Sequence, residues 1–333
     1  MPHDQTSMFG ESCTFEDAAI VLVPVPFDAT CSYRTGAAGA PAAILEASPQ
    51  IDLDDRRFGN ISTRGILMEP AHPEVEALAH EGRSAAAVSR STASSAAAGR
   101  VDRACEAMVE HAHERTRAIL EAGKTPGIVG GEHGVSLGAI RAAASCAAGM
   151  GVLQIDAHMD LRRSYEGFRY SHASVIRNAI ESVSPIGPIV QVGVRDFAAE
   201  EADFAKGRDI TTYFWDDIAD DAHRGMPWRT MAERFIRPLP RDIYLTVDID
   251  GLDPSLCPHT GTPVPGGLNW DHISILLEEL ARSDRCIVAF DLVEVSPGSG
   301  DASQLDAIIA ARLLYRLCAV AGEPSARRVN PRR

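Results

Sequence analysis

Short apolar runs alternate with amphipathic stretches along the whole chain. The runs at 19–23 (AIVLV), 127–129, 151–155 (GVLQI), 189–194, 210–214, 243–247 and 286–290 have the length and β-branched content of buried strands. Between them, apolar positions recur at helical spacing. Ala104, Met108, Ala112, Ile119 and Leu120 mark a helix over 101–122. Further helices are predicted over 41–48, 135–147, 198–206, 227–235, 271–281 and 305–320, with another starting near Ala173. Pro41 and Pro227 sit where a helix tolerates proline, at its opening. Strand–helix alternation of this kind predicts a parallel sheet covered on both faces by helices. Nothing reads as a linker, so a single domain spanning 1–333 is expected, with a core at 18–320 and a frayed tail at 321–333. The Ala/Ser-rich stretch 84–100 offers little to bury and reads as a solvent-exposed helix or a mobile insertion.

Composition adds limits. The chain has 333 residues, 45% hydrophobic and 23% charged, which is ordinary globular usage. The net charge of −14 argues against a nucleic-acid binder that works through bulk electrostatics. No apolar run is long enough to span a membrane, and the first residues lack a basic region followed by an apolar one. The seven cysteines form no CxxC pair, which fits reduced thiols and a cytoplasmic protein.

The chemistry concentrates just after strands, in GGEH (130–133), DAHMD (156–160) and DID (248–250). Residues two apart on an extended chain point the same way, so Asp156, His158 and Asp160 converge, as do Asp248 and Asp250. Parallel α/β sheets bind ligands at the carboxyl ends of strands. Carboxylates and imidazoles gathered there repel one another unless a cation joins them. A lone DxD or HxD is most simply a turn or a helix cap. Same-parity clusters together with His133 point instead to metal, and mixed His/carboxylate ligands suit Mn²⁺, Zn²⁺, Fe²⁺ or Ni²⁺. So many ligands fit two ions better than one.

The blocks GGEH, IDAHMDLR and YLTVDIDGLDPSLCPHTGTPVPGGL resemble the signatures of the ureohydrolase family, which includes arginase and agmatinase. Similarity extends to TCSYRTGAAGAPAAILEAS, YEGFRYSHAS, QVGVRDFAAEE and AFDLVEVSPGSGDASQLDAIIAARL, and so covers roughly 19–320. The SYR and SHA features are most like bacterial and archaeal agmatinases. The resemblance implies a three-layer α/β/α arginase-like fold with a parallel eight-stranded sheet. It implies two Mn²⁺ per subunit, with Ni²⁺ or another divalent ion as an alternative. His133, Asp156, Asp160 and Asp248 would hold one ion, and Asp156, His158, Asp248 and Asp250 the other.

It further implies that His172 shuttles a proton to the leaving amine, that Glu294 grips a guanidinium, and that Asp250 relays a proton. Asp196 would either reach a substrate amine or anchor its own loop, and Glu132 would support the ligands from behind. The 260–267 loop would lie beside the metals, while Asp253-Pro254 reads as a turn. The expected activity is hydrolysis of a small cationic guanidino compound to urea and an amine, agmatine giving putrescine. Guanidinobutyrate, guanidinopropionate, guanidine or an alkylguanidine are alternative substrates. The stretch after DAHMD lacks the Asn/Ser pattern by which arginases hold the amino-acid end of arginine. More distant readings are a metal-dependent amide deacetylase and a non-catalytic subunit of a hetero-oligomer. A homohexamer or trimer is expected.

Overall fold

The structure is a computed structural model that describes residues 7–298 and 303–321. Its strands are β1 (Ile20–Val25), β2 (Ile66–Met68), β3 (Thr125–Gly130), β4 (Gly151–Ile155), β5 (Ile189–Val194), β6 (Ile210–Phe214), β7 (Asp242–Asp248) and β8 (Cys286–Val293). They form one eight-stranded sheet in the order β2-β1-β3-β8-β7-β4-β5-β6, every neighbouring pair parallel. A separate antiparallel ribbon pairs Asp54–Asp55 with Gly59–Asn60. The strand β2 has no counterpart in the sequence reading. It is three residues long at the sheet edge, too short to show a period.

Ten α-helices flank the sheet in the described residues: α1 (Ala40–Ala47), α2 (Pro73–Thr92), α3 (Ser95–Glu121), α4 (Ser136–Cys146), α5 (Val175–Ser182), α6 (Ala199–Ala205), α7 (Trp215–His223), α8 (Trp228–Ile236), α9 (Trp270–Arg282) and α10 (Ser303–Ala321). Strand side chains alternate between two apolar cores. Ile20, Leu22, Leu153, Leu245 and Leu292 join one core with Ile44, Phe235, Leu276 and Leu314, from α1, α8, α9 and α10. Val21, Val23, Val152, Tyr244 and Val293 join the other with Val75, Met108, Ile140 and Val175, from α2 to α5. This is the three-layer α/β/α arrangement that covering both faces of a parallel sheet requires.

The 84–100 stretch does bury side chains. It is the end of α2, a turn at Ala93 and Ser94, and the start of α3. Ala85, Ala86, Ser89 and Ala97 are buried, so the small residues permit close helix packing instead of marking an insertion with nothing to cover. Ala93 takes the left-handed conformation that ends α2, and the Ser94 hydroxyl caps α3 by accepting from Ala97 N–H at 3.2 Å. Of the tail predicted at 321–333, all but Ala321, the last residue of α10, lies outside the described residues. No described helix is long and apolar enough to cross a membrane.

Candidate metal centre and substrate cleft

The four central strands β3, β8, β7 and β4 are neighbours, and the site lies at their carboxyl ends. His133 follows β3, Glu294 follows β8, Asp248 ends β7 and Asp156 follows β4. Val247 pairs with Ile155, so Asp248 and Asp156 leave the sheet side by side. From there the ligands converge through tight turns, not along an extended chain as the sequence spacing implied. Asp156 Oδ1 accepts from His158 N–H at 2.6 Å, and Asp248 Oδ1 accepts from Asp250 N–H at 2.9 Å. Asp160 sits at φ 53°, a conformation costly for a residue with a Cβ, roughly 1–3 kcal/mol.

Two adjoining groups result, sharing Asp156: His133, Asp156 and Asp160, and Asp156, His158 and Asp250. His133 Nδ1 lies 2.8 Å from Asp160 Oδ2, 3.1 Å from Asp156 Oδ2 and 3.5 Å from Asp248 Oδ2. His158 Nδ1 lies 3.2 Å from Asp250 Oδ2 and 3.5 Å from Asp156 Oδ1. Asp248 therefore faces the first group through Oδ2 while its other oxygen caps a turn.

The charge balance of the protein alone shows what this cluster needs. Burial, then repulsion from Asp156, pushes Asp160 up to about 7. Burial, then Asp250 and Asp156, raises Asp248 far above the carboxylate range. Burial would lower His133, but contact with Asp156 and Asp160 outweighs it and raises the imidazole well above its usual value. Burial would raise Asp156 too, but the two histidines hold it below the carboxylate range. The carboxylates thus favour positive charge on the histidines among them. His133 Nδ1 is buried, makes no well-directed hydrogen bond and is aimed into the carboxylates. The donor set fits a pair of hard or borderline divalent ions.

The orientation of these ligands comes from behind. His133 Nε2 is 2.8 Å from Thr246 Oγ1, and that hydroxyl donates to Asp291 Oδ1 at 2.8 Å. Gln154 Nε2 donates to Asp156 Oδ2 at 2.7 Å, and Gln191 Nε2 donates to Gln154 Oε1 at 2.7 Å. Arg195 donates to the carbonyls of Gly193, Asp250, Leu252, Val264 and Pro265, fixing the turn that carries Asp250. These supporting residues escaped the sequence reading. Polar side chains inside the buried strands GVLQI, IVQVGV and CIVAFDLV were the available signal.

Glu294 is also held in the left-handed region, at φ 59°. Its N–H donates to Gly131 O at 2.8 Å, its carbonyl accepts from Thr260 Oγ1 at 2.9 Å, and its Oε1 accepts from His133 N–H at 2.7 Å. Oε2 has Gly261 beside it; a Cβ there would lie 3.4 Å away. Burial, then Glu132, raises the Glu294 carboxyl well above its ordinary value.

The residues open onto a cleft of about 430 Å³, lined by Tyr33, Arg34, Arg162, Tyr165, Thr262, Pro263 and Val264 beside the ligands, His172, Asp196 and Glu294. Of the 260–267 loop, Thr262, Pro263 and Val264 line the cleft beside the ligands. Asp196 is at the rim, 69% exposed, with Oδ2 4.0 Å from His158 Nε2. His172 opens a short turn before α5. Its Nδ1 is 3.1 Å from Thr30 Oγ1, and Tyr165 meets its ring edge-on at 5.8 Å. An unperturbed imidazole would titrate near neutrality, but burial, then His158 and His133, pulls His172 down to about 3. Glu132 stands behind it, accepting from Thr30 N–H at 2.7 Å and Thr30 Oγ1 at 2.9 Å, with burial pushing its carboxyl up to about 8.

An eight-stranded parallel sheet with acidic and histidine ligands at three central strand ends is the architecture of the arginase family. The family model for arginases matches residues 18–319, and the chain belongs to that family. It is 32% identical over 311 residues to the N(1)-aminopropylagmatine ureohydrolase of Synechocystis sp., covering 93% of this chain and 91% of that one. It is 30% identical over 292 residues to the agmatinase of Bacillus subtilis, covering 85% of each. Among solved structures, the agmatine ureohydrolase of Thermoplasma volcanium superposes with a TM-score of 0.72 at 28% identity, over 92% of this chain and 91% of that one. The protein is accordingly a hydrolase of the ureohydrolase type.

Proposed function

We propose that the protein hydrolyses a guanidino compound to urea and an amine, with agmatine, giving putrescine, as the preferred substrate. The observation that carries this reading is the place of Glu294. One carboxylate oxygen is fixed by His133 N–H, and the other faces the cleft beside the two ligand groups. A planar guanidinium pairs with such an acceptor through charge-assisted bonds. His133, Asp156, Asp160 and Asp248 would hold one divalent ion, and Asp156, His158, Asp248 and Asp250 the other, with Mn²⁺ expected and Ni²⁺ the alternative. When bound, such a pair supplies positive charge and an activated water for attack on the guanidinium carbon.

The chain's own residues do the rest. Asp250 Oδ2, within 3.4 Å of Thr262 Oγ1, takes up a proton during attack. That proton passes to the departing amine, with His172, which lines the cleft, as the group that hands it on at the nitrogen not held by Thr30. Tyr165, Pro263 and Val264 give an apolar passage for a methylene chain, and Asp196 stands at the rim to meet a distal ammonium. Two cationic groups also line the cleft: Arg162 Nε lies 3.6 Å from Glu201 Oε2, and Arg34 donates to Pro258 O at 2.9 Å. The exposed Asp196 carboxylate favours a cationic tail over the carboxylate of guanidinobutyrate or guanidinopropionate. The name of the Synechocystis relative supports including aminopropylagmatine among the candidates. We also take the protein to be a cytoplasmic homo-oligomer, trimeric or hexameric.

The test is urea release from agmatine, N(1)-aminopropylagmatine, guanidinobutyrate, guanidinopropionate and guanidine after loading with Mn²⁺ or Ni²⁺. The reading expects the highest kcat/KM for agmatine. Urea from none of them would overturn the activity, and preference for an acid-tailed substrate would overturn the role of Asp196.

A further inference from the structure

The Ala/Ser-rich 84–100 stretch places one long polar side chain where it touches the site's surroundings. Arg90, near the end of α2, reaches across to two segments that both line the cleft. Its Nη2 donates to Thr30 O at 3.1 Å and to Cys31 O at 2.9 Å. Its Nε donates to Glu166 Oε2 at 2.7 Å, and its guanidinium lies over the Phe168 ring at 5.5 Å. Arg83, two helical turns earlier on the same face, pairs with Asp28, whose other oxygen accepts from Gly36 N–H at 3.0 Å. One face of α2 therefore grips the 28–36 loop at two points, and Arg90 alone adds the 165–168 turn.

Both segments held by Arg90 end on His172. Thr30 Oγ1 accepts from His172 N–H at 3.0 Å and meets Nδ1 at 3.1 Å. Tyr165, the neighbour of Glu166, supplies the edge contact to the ring. Glu166 itself sits at φ 52° and Gly167 at φ 85°. A left-handed residue with a Cβ persists only where its surroundings hold it. An exposed ion pair is a weak restraint on its own, but a planar guanidinium that bonds two carbonyls and a carboxylate at once fixes relative position.

We propose that Arg90 is a positioning residue. By clamping the Thr30–Cys31 carbonyls to the Tyr165–Glu166 turn, it holds the His172 ring in the orientation that protonates the leaving amine. This deepens the functional reading above and rests on it for the kinetic arm of the test.

The experiment compares the metal-loaded wild type with Arg90→Met and Glu166→Gln. Arg90→Met keeps the aliphatic stem and removes the donors. Glu166→Gln removes only the ion pair and guards against a misfolded first variant. Hydrogen exchange by mass spectrometry is expected to rise at least several-fold in peptides covering 29–34 and 163–169 for Arg90→Met. For Glu166→Gln it should rise in 163–169 only. With agmatine, kcat should fall about ten-fold for Arg90→Met while KM and metal content stay within two-fold. Arg90→Lys should recover part of kcat. Unchanged exchange in both peptides for Arg90→Met overturns the clamp, whatever the activity. Raised exchange with unchanged kcat overturns its link to His172. If the wild type releases no urea from any guanidine, the functional reading fails, and exchange still decides the clamp.

Discussion

Replacing Glu294 by glutamine separates substrate binding from metal binding. Oε1 of Glu294 accepts from His133 N–H at 2.7 Å, so in Glu294→Gln the amide oxygen keeps that position and the amide NH2 turns to the cleft. A donor then faces the guanidinium where an anionic acceptor stood. Hydrogen bonds to charged groups contribute about 1.5–3 kcal/mol each, and replacing the one acceptor that faces the guanidinium by a donor costs roughly 3–4 kcal/mol, the lost bond plus the unpaired donors left facing each other. That corresponds to about a 100- to 1,000-fold fall in kcat/KM for urea release. Stability should move the other way. Burial and Glu132 raise the Glu294 carboxyl well above its ordinary value, so its ionised form is disfavoured in the fold. Removing the charge should raise the Tm of the metal-free protein at pH 7.5. The assay is steady-state urea release with agmatine beside metal analysis and a melting curve. A kcat/KM within three-fold of wild type, or a loss explained by missing metal, would refute the assigned role.

Two further outcomes follow from the geometry. Asp291 reaches His133 only through Thr246, so Asp291→Asn should weaken Mn²⁺ binding roughly 10- to 100-fold, measured by titration calorimetry, while the far-ultraviolet dichroism stays native. Equal affinity would show that the relay does not orient His133. The metal-free protein should lose Tm between pH 6 and 9. Asp160 at about 7 and Glu132 at about 8 are raised groups, as are Asp248, His133 and His158, and a raised group's stabilisation is present at low pH and lost as pH passes its folded value. Mn²⁺ should offset that loss, with affinity that increases with pH as ligand protons are released. A metal-free Tm that is flat or rising over this window would contradict the electrostatic account.

The ligand blocks and the sheet were legible because their signals are local. Strands such as GVLQI and IVQVGV are apolar runs bounded by breakers, and their bounds match the sequence reading. His133, Asp156, His158, Asp160, Asp248 and Asp250 stand in short motifs at strand ends, and the structure brings them together. The edge strand β2 was missed because three residues carry no period. The buried face of α2 was missed because alanine and serine look the same whether they pack against a helix or face water. Thr30, Glu166 and Arg90 touch or brace the site from segments distant in sequence, and Asp291 acts through Thr246. Such partnerships depend on tertiary distance and leave no spacing to read. The lowered titration of His172 likewise comes from burial and from His158 and His133, none of which a residue type discloses.

In the proposed function, the two adjoining ligand groups that share Asp156 act as one hydrolytic centre for guanidines. It is tested most directly by stripping the protein with a chelator and following urea release from agmatine as Mn²⁺ is added back. The stripped protein should release no urea, and activity should rise with added Mn²⁺ and saturate at two equivalents per chain. Full activity at one equivalent, activity without metal, or no urea at saturation would contradict it.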